Sequence, residues 1–98
     1  MTLGRVAGTV VSTNKEPRIE GIKFLVVEKL SYKTMKGTGD FLVAMDAVGA
    51  GYGEVVLVVS GSSSRLTEVT KDRPSDATIT AIVDDVELAG ATVYRKDG

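Results

Sequence analysis

A small all-β barrel or sandwich is the fold this sequence predicts, on three observations. Its apolar content, 43% of residues, is mostly Val, Leu, Ile and Ala, with only three Tyr and two Phe. Side chains branched at Cβ suit a pleated, half-buried surface and favour strands over helices. The apolar runs are short and separated by Gly, Pro and polar clusters, and one run, Val55 to Val59, lies between two groups of small residues.

At 98 residues the chain is expected to form a single domain, 1–98, near the lower size at which burial alone stabilises a fold. Association with other copies would add burial.

Gly4 to Ser12 predicts the first strand, with Val6, Gly8 and Val10 on one side and Ala7, Thr9 and Val11 on the other. Thr13 to Gly21 is polar and contains Pro17, so it reads as a hairpin-like connection into a second strand, Ile22 to Val27, largely buried on both faces. Glu28 to Gly39 lacks a clean period and carries Lys29, Lys33 and Lys36, so it predicts an exposed loop.

Phe41 to Val48 predicts the third strand and Glu54 to Ser60 the fourth, with a glycine loop between them. Phe24 and Phe41 sit in apolar strands and read as core. Arg65 to Thr70 is a candidate helical turn, followed by a polar turn, Lys71 to Asp76, containing Pro74. Ala77 to Asp84 alternates as a fifth strand, and Gly90 turns into a short strand-like piece, Ala91 to Tyr94. Five or six short strands and at most one helical turn make an all-β domain.

Composition excludes several chemistries. Without cysteine there is no thiolate catalysis, disulfide or Cys-based metal site, and without histidine the commonest general base is missing. The formal net charge of -1 offers no electrostatic reason for nucleic acid or an anionic membrane as partner. No stretch reaches the roughly 18 apolar residues of a membrane helix, and no signal-peptide pattern opens the chain. A soluble protein of the bacterial cytoplasm is expected.

Three local patterns invite a chemical reading, and each fails on its context. Gly49-Ala50-Gly51-Tyr52-Gly53-Glu54 has Glu where a dinucleotide fingerprint needs its third glycine, and a strand follows in place of a helix. Gly61-Ser62-Ser63-Ser64 is followed by Arg65 in place of the glycine of a nucleophile elbow. Asp84, Asp85 and Glu87 have carboxylates, yet adjacent strand residues point to opposite faces, so a solvated turn is expected. No catalytic, cofactor or metal site is predicted. The alternative function is an OB-type barrel binding single-stranded nucleic acid, which would need basic residues interleaved with stacking aromatics.

Two separated stretches then become recognisable. Asp46-Ala47-Val48-Gly49-Ala50-Gly51-Tyr52-Gly53-Glu54, and after the valine strand Ser60-Gly61-Ser62-Ser63-Ser64-Arg65, resemble the paired signature of pentameric vertex proteins of bacterial microcompartments, of the carboxysome and ethanolamine-utilisation type. The opening strand from Gly4, the second from Gly21, and Asp76 to Asp84 resemble the same family in the same order. Ser64 departs from it, since alanine usually stands there.

The resemblance implies an OB-like five-stranded barrel that assembles as a cyclic homo-pentamer. Such rings cap five-fold vertices of a polyhedral shell otherwise tiled by hexameric shell proteins, and they catalyse nothing. A head-to-tail ring needs two different complementary patches on each subunit. On that footing Gly49, Ala50 and Gly51 are expected to form a close-packed contact surface, and Asp46, Glu54 and Arg65 to fix subunit register. The plain alternative for these three charged residues is an ion pair within one chain, worth about 0–1 kcal/mol. Near a five-fold axis like charges repel strongly in low dielectric, so the neutral Ser62, Ser63 and Ser64 are expected there.

Overall fold

The computed structural model describes residues 1–11, 22–60 and 77–96. The expectations for residues 12–21, for the serine cluster and Arg65, and for the helical and polar turns up to Asp76 lie outside the described residues.

Strands β1 (Thr2–Val10), β2 (Phe24–Leu30), β3 (Gly37–Asp46), β4 (Val55–Ser60) and β5 (Ala77–Ile82) close into a barrel in the order β1-β2-β3-β5-β4. β4 returns to pair with β1, placing Leu3 opposite Leu57. Every neighbouring pair is antiparallel except β3 and β5, which run parallel through Met45↔Thr78 and Asp46↔Ile79. The β3–β5 contact that closes the ring of strands is short, confined to Met45 and Asp46, the partly open arrangement of a small OB-type barrel. Two further strands, β6 (Asp85–Leu88) and β7 (Ala91–Arg95), form a separate hairpin, and no helix occurs among the described residues.

The barrel interior follows the period of two. Val6, Leu25, Val27, Ala44, Val56, Val58 and Ile79 point inward and are almost wholly buried. Burial of each of the Val, Leu and Ile side chains contributes about 1.5–3 kcal/mol, and this term holds the barrel together. Gly4 lets β1 approach β2 closely, because a Cβ there would run into the Val27 side chain and sit 3.0 Å from the Glu28 carbonyl oxygen.

Several expectations need correction. β1 does not keep one alternation: its register slips between Val6 and Gly8, leaving Ala7 as the extra, exposed residue of a bulge. The slip reverses the faces, so Val6 is core while Val10 is exposed. β2 is fully buried on one face only, by Leu25 and Val27, while Phe24 and Val26 on the other are half-buried.

The expected loop from Glu28 to Gly39 is mostly strand. β2 continues to Leu30, residues 32–34 turn, and β3 starts at Gly37. Ser31 N–H donates to Lys36 O at 2.9 Å and Met35 N–H to Ser31 O at 2.8 Å. Leu30 and Met35 are buried, while Lys29, Lys33 and Lys36 face solvent. Phe41, expected in the core, is 57% exposed. Its parity on the lengthened β3 places it outside, opposite Glu28.

The segment from Asp85 holds a strand the sequence did not signal. β6 pairs with β7 through a tight turn whose Ala89 and Gly90 both have positive φ, 53° and 83°, the twist that two-residue hairpins require. A lone hairpin is marginal in water. Here Val86, Val93 and Tyr94 pack on Leu30, Met35 and Val55, a second apolar cluster at one end of the barrel.

Candidate functional site

The glycine loop between β3 and β4 is built by the two carboxylates that bracket it. Asp46 closes β3, and its Oδ1 accepts from the amides of Val48, Gly49 and Ala50 at 3.1, 3.0 and 3.2 Å. Three successive amides converge on one oxygen because the backbone curls into a nest, with Gly49 at φ 76°. The Asp46 side chain is 2% exposed, and Lys23 Nζ lies 3.4 Å from its other oxygen. Lys23 also donates to Ala50 O at 3.1 Å.

Glu54 holds the far end. Its Oε1 accepts from Gly51 N–H at 2.6 Å, and its Oε2 meets Lys96 Nζ at 2.9 Å. The Lys96 hydrogen bond and then the Gly51 amide pull the Glu54 carboxyl below its usual range. Gly53, at φ 84°, is clamped to β1: its N–H donates to Val6 O and its carbonyl accepts from Arg5 Nη1, both at 2.9 Å. The Arg5 guanidinium stands 5.8 Å from the centre of the Tyr94 ring, a cation–π contact. The loop is therefore a rigid corner, fastened to β1, to the approach to β2 and to the hairpin. At its tip Tyr52 is 83% exposed.

The expected contact residues separate on inspection. Asp46 and Glu54 come together on the same loop, yet both turn onto their own backbone. Gly49 is exposed and Gly51 half-buried, but the Ala50 methyl lies inside its own barrel. Ala50 as a whole is 1% exposed, so it braces the loop from inside and offers a neighbour no surface of its own. Ser62, Ser63, Ser64 and Arg65 lie outside the described residues.

Sequence reasoning missed the outer face of β1, β2 and β3. There Gly8 stands opposite Val26 and Val26 opposite Val43, with Arg5, Glu28 and Phe41 in the adjoining row. Phe41 and Val43 are both more than half exposed. The available signal was that Phe41-Leu42-Val43-Ala44 is apolar at both parities, so an inward face of Leu42 and Ala44 leaves apolar side chains outside. A depression of about 340 Å³ lies where this face meets the corner, lined by Arg5, Ala7, Glu28 and Tyr52 among others.

Asp84 and Asp85 are exposed, and among the described residues no three acidic side chains gather as a metal site would need. The arrangement is mechanical: a stiff corner beside an apolar sheet face.

Comparison with known proteins gives one consistent picture. A family model described as ethanolamine utilisation protein EutN/carboxysome matches residues 1–84. The carboxysome shell vertex protein CcmL of Synechococcus elongatus is 44% identical over 96 residues, covering 98% of this chain and 96% of that protein. The structure of CcmL from Gloeobacter violaceus superposes with a TM-score of 0.93 at 39% identity, covering all of both chains. The GrpN pentameric microcompartment shell protein from Rhodospirillum rubrum superposes with a TM-score of 0.81 at 45% identity, covering 91% of this chain and 100% of that one.

Proposed function

Because this chain belongs to the EutN/carboxysome family of microcompartment shell vertex proteins, we propose that five copies of it close into a ring that caps a vertex of a polyhedral shell. The chain is a structural component of a bacterial microcompartment shell in the bacterial cytoplasm, not an enzyme. The nucleic-acid alternative finds no support among its relatives, which are shell proteins.

The observation that carries the ring is the likeness to a protein described as pentameric, over nearly the whole chain. Geometry supplies the reason for five. A flat net of hexamers cannot curve shut, and replacing some six-fold positions by five-fold ones gives it the corners it lacks. A subunit for that position must hold a fixed angle to its neighbours. The corner loop, with both carboxylates committed to their own backbone, is stiff enough to do so.

Hexameric shell proteins are the partners of the assembled ring in this reading. Ser62, Ser63 and Ser64 are assigned to the neighbourhood of the ring axis. Gly49, Gly51 and Arg65 are assigned to the seam, where Ala50, Asp46 and Glu54 act through the loop they shape.

Co-production with a hexamer-forming shell protein tests the function. Electron microscopy is expected to show closed polyhedra with this chain and open sheets or tubes without it. Equally closed particles in its absence would contradict the role.

A further inference from the structure

We infer that the outer face of β1, β2 and β3, which carries Phe41 and Val43, is one half of the subunit seam and is covered by a second copy of this chain. The inference rests on the pentamer proposed above and names a surface for it.

Three observations lead there. Phe41 and Val43 are 57% and 52% exposed on neighbouring rows of one sheet, joined by Val26 across β2 and by the exposed Val10 on β1. A continuous apolar sheet face of this kind on a small soluble domain marks an interaction surface. Next, charge enters at one row of the face, Arg5–Glu28–Phe41, where the depression beside Tyr52 begins, so Phe41 lies at the polar border and Val43, Val26 and Val10 make the apolar part. An apolar strip bordered by an aromatic and an oppositely charged pair is the composition of a protein interface, and it suits neither nucleic acid nor an anionic lipid surface.

Finally, the face is continuous with the corner loop, since Arg5 binds Gly53 and Glu28 shares the depression with Tyr52 and Gly53. A neighbour seated on the sheet would reach the loop as well. A five-membered ring is heterologous, so Phe41 and Val43 must meet a different surface of the next copy and cannot pair with themselves. The unequal ends of this face, charged at Arg5 and Glu28 and apolar at Val10, would set one orientation of that neighbour.

The absence of cysteine from the chain makes a direct test possible. Val43→Cys and Lys33→Cys each introduce a unique thiol, the second on the exposed turn between β2 and β3. Val→Cys changes little volume, so the barrel is expected to remain folded. In the assembled wild-type-sized particle, a bulky maleimide is expected to label Val43→Cys about ten-fold or more slowly than Lys33→Cys, with the rates converging once the particle is dispersed. Equal rates in the intact particle would overturn the inference while leaving the pentamer standing.

Phe41→Asp provides the second arm. Burying an unpaired carboxylate at the seam is expected to raise the concentration at which the ring falls apart by about a hundred-fold or more, with the β-sheet circular dichroism kept. A variant that remains a ring but no longer joins hexameric shell proteins would assign this face to them and overturn the proposal. A wild-type chain that never forms a ring would overturn both this inference and the function on which it rests.

Discussion

Lys96 Nζ and Glu54 Oε2 stand 2.9 Å apart, and through this contact the hairpin of β6 and β7 holds the corner loop. The chain of contacts runs from Lys96 to Glu54 and from Glu54 to the Gly51 amide. Replacing Lys96 by Met removes the largest cause of the lowered Glu54 pKa. Amide exchange at Gly51 is expected to speed up in this variant, with the barrel strands unchanged. Unchanged protection at Gly51 would show that the hairpin does not brace the loop.

The same carboxylate gives a pH dependence with a definite sign. The folded-state pKa of Glu54 lies below its ordinary value of 4.5. Its contribution is therefore complete above that value and is lost as pH falls through the lower, folded value. Stability measured by thermal unfolding is expected to fall on acidification through that window, and Glu54→Gln is expected to flatten this part of the profile. An identical acid profile in Glu54→Gln would contradict the assignment.

Asp46 is the stronger structural element, because three amides depend on one nearly buried oxygen. Asp46→Ala leaves those donors without their acceptor and is expected to cost about 1–3 kcal/mol. Thermal unfolding would fall by roughly 4–8 °C per kcal/mol for a domain of this size. Asp46→Asn keeps an oxygen acceptor and loses the ion pair with Lys23, so its loss is expected to be smaller. An Asp46→Ala variant as stable as the parent would refute the capping role.

The loop glycines separate folding from assembly. Gly49 has φ 76°, so Gly49→Ala is expected to destabilise the chain itself by about 1–2 kcal/mol. Gly51 does not have positive φ, and an added Cβ would lie 3.4 Å from Glu54 Oε1, the end of a flexible side chain. Gly51→Val is therefore expected to leave a β-rich chain that no longer forms rings. An unchanged oligomer in that variant would count against close packing at the loop.

Gly4 makes a contrasting case inside the barrel. The Glu28 carbonyl, 3.0 Å from where a Cβ would stand, is backbone and cannot swing away. Gly4→Ala is expected to cost about 1–3 kcal/mol by chemical denaturation. At Gly8 nothing lies within 4 Å, and alanine there is expected to change stability by about 0.5 kcal/mol or less.

Where an apolar run or an alternation is uninterrupted, strand and sequence agree closely, as at the run Val55 to Ser60 and the alternating Ala77 to Ile82. The ends of β2 and β3 were hidden because Glu28, Lys29 and Lys36 break the alternation, although Leu30 and Met35 continue the core. β6 was hidden by its acidic residues, which face water on a strand held from one side. Asp46 and Glu54 stood out as carboxylates in a nearly uncharged stretch, but their roles depend on Lys23, Lys96 and Arg5. Those partners are brought in by barrel closure; Arg5 is 48 residues from the glycine it holds. The exposed Phe41 was misplaced for a related reason: inward and outward apolar residues look alike until the register of β3 is known.

Sedimentation equilibrium of the purified chain over a wide concentration range tests the central claim most directly. The account predicts one species of five times 10.3 kDa, present without nucleic acid or metal. A folded 10.3 kDa monomer persisting at high concentration would contradict it.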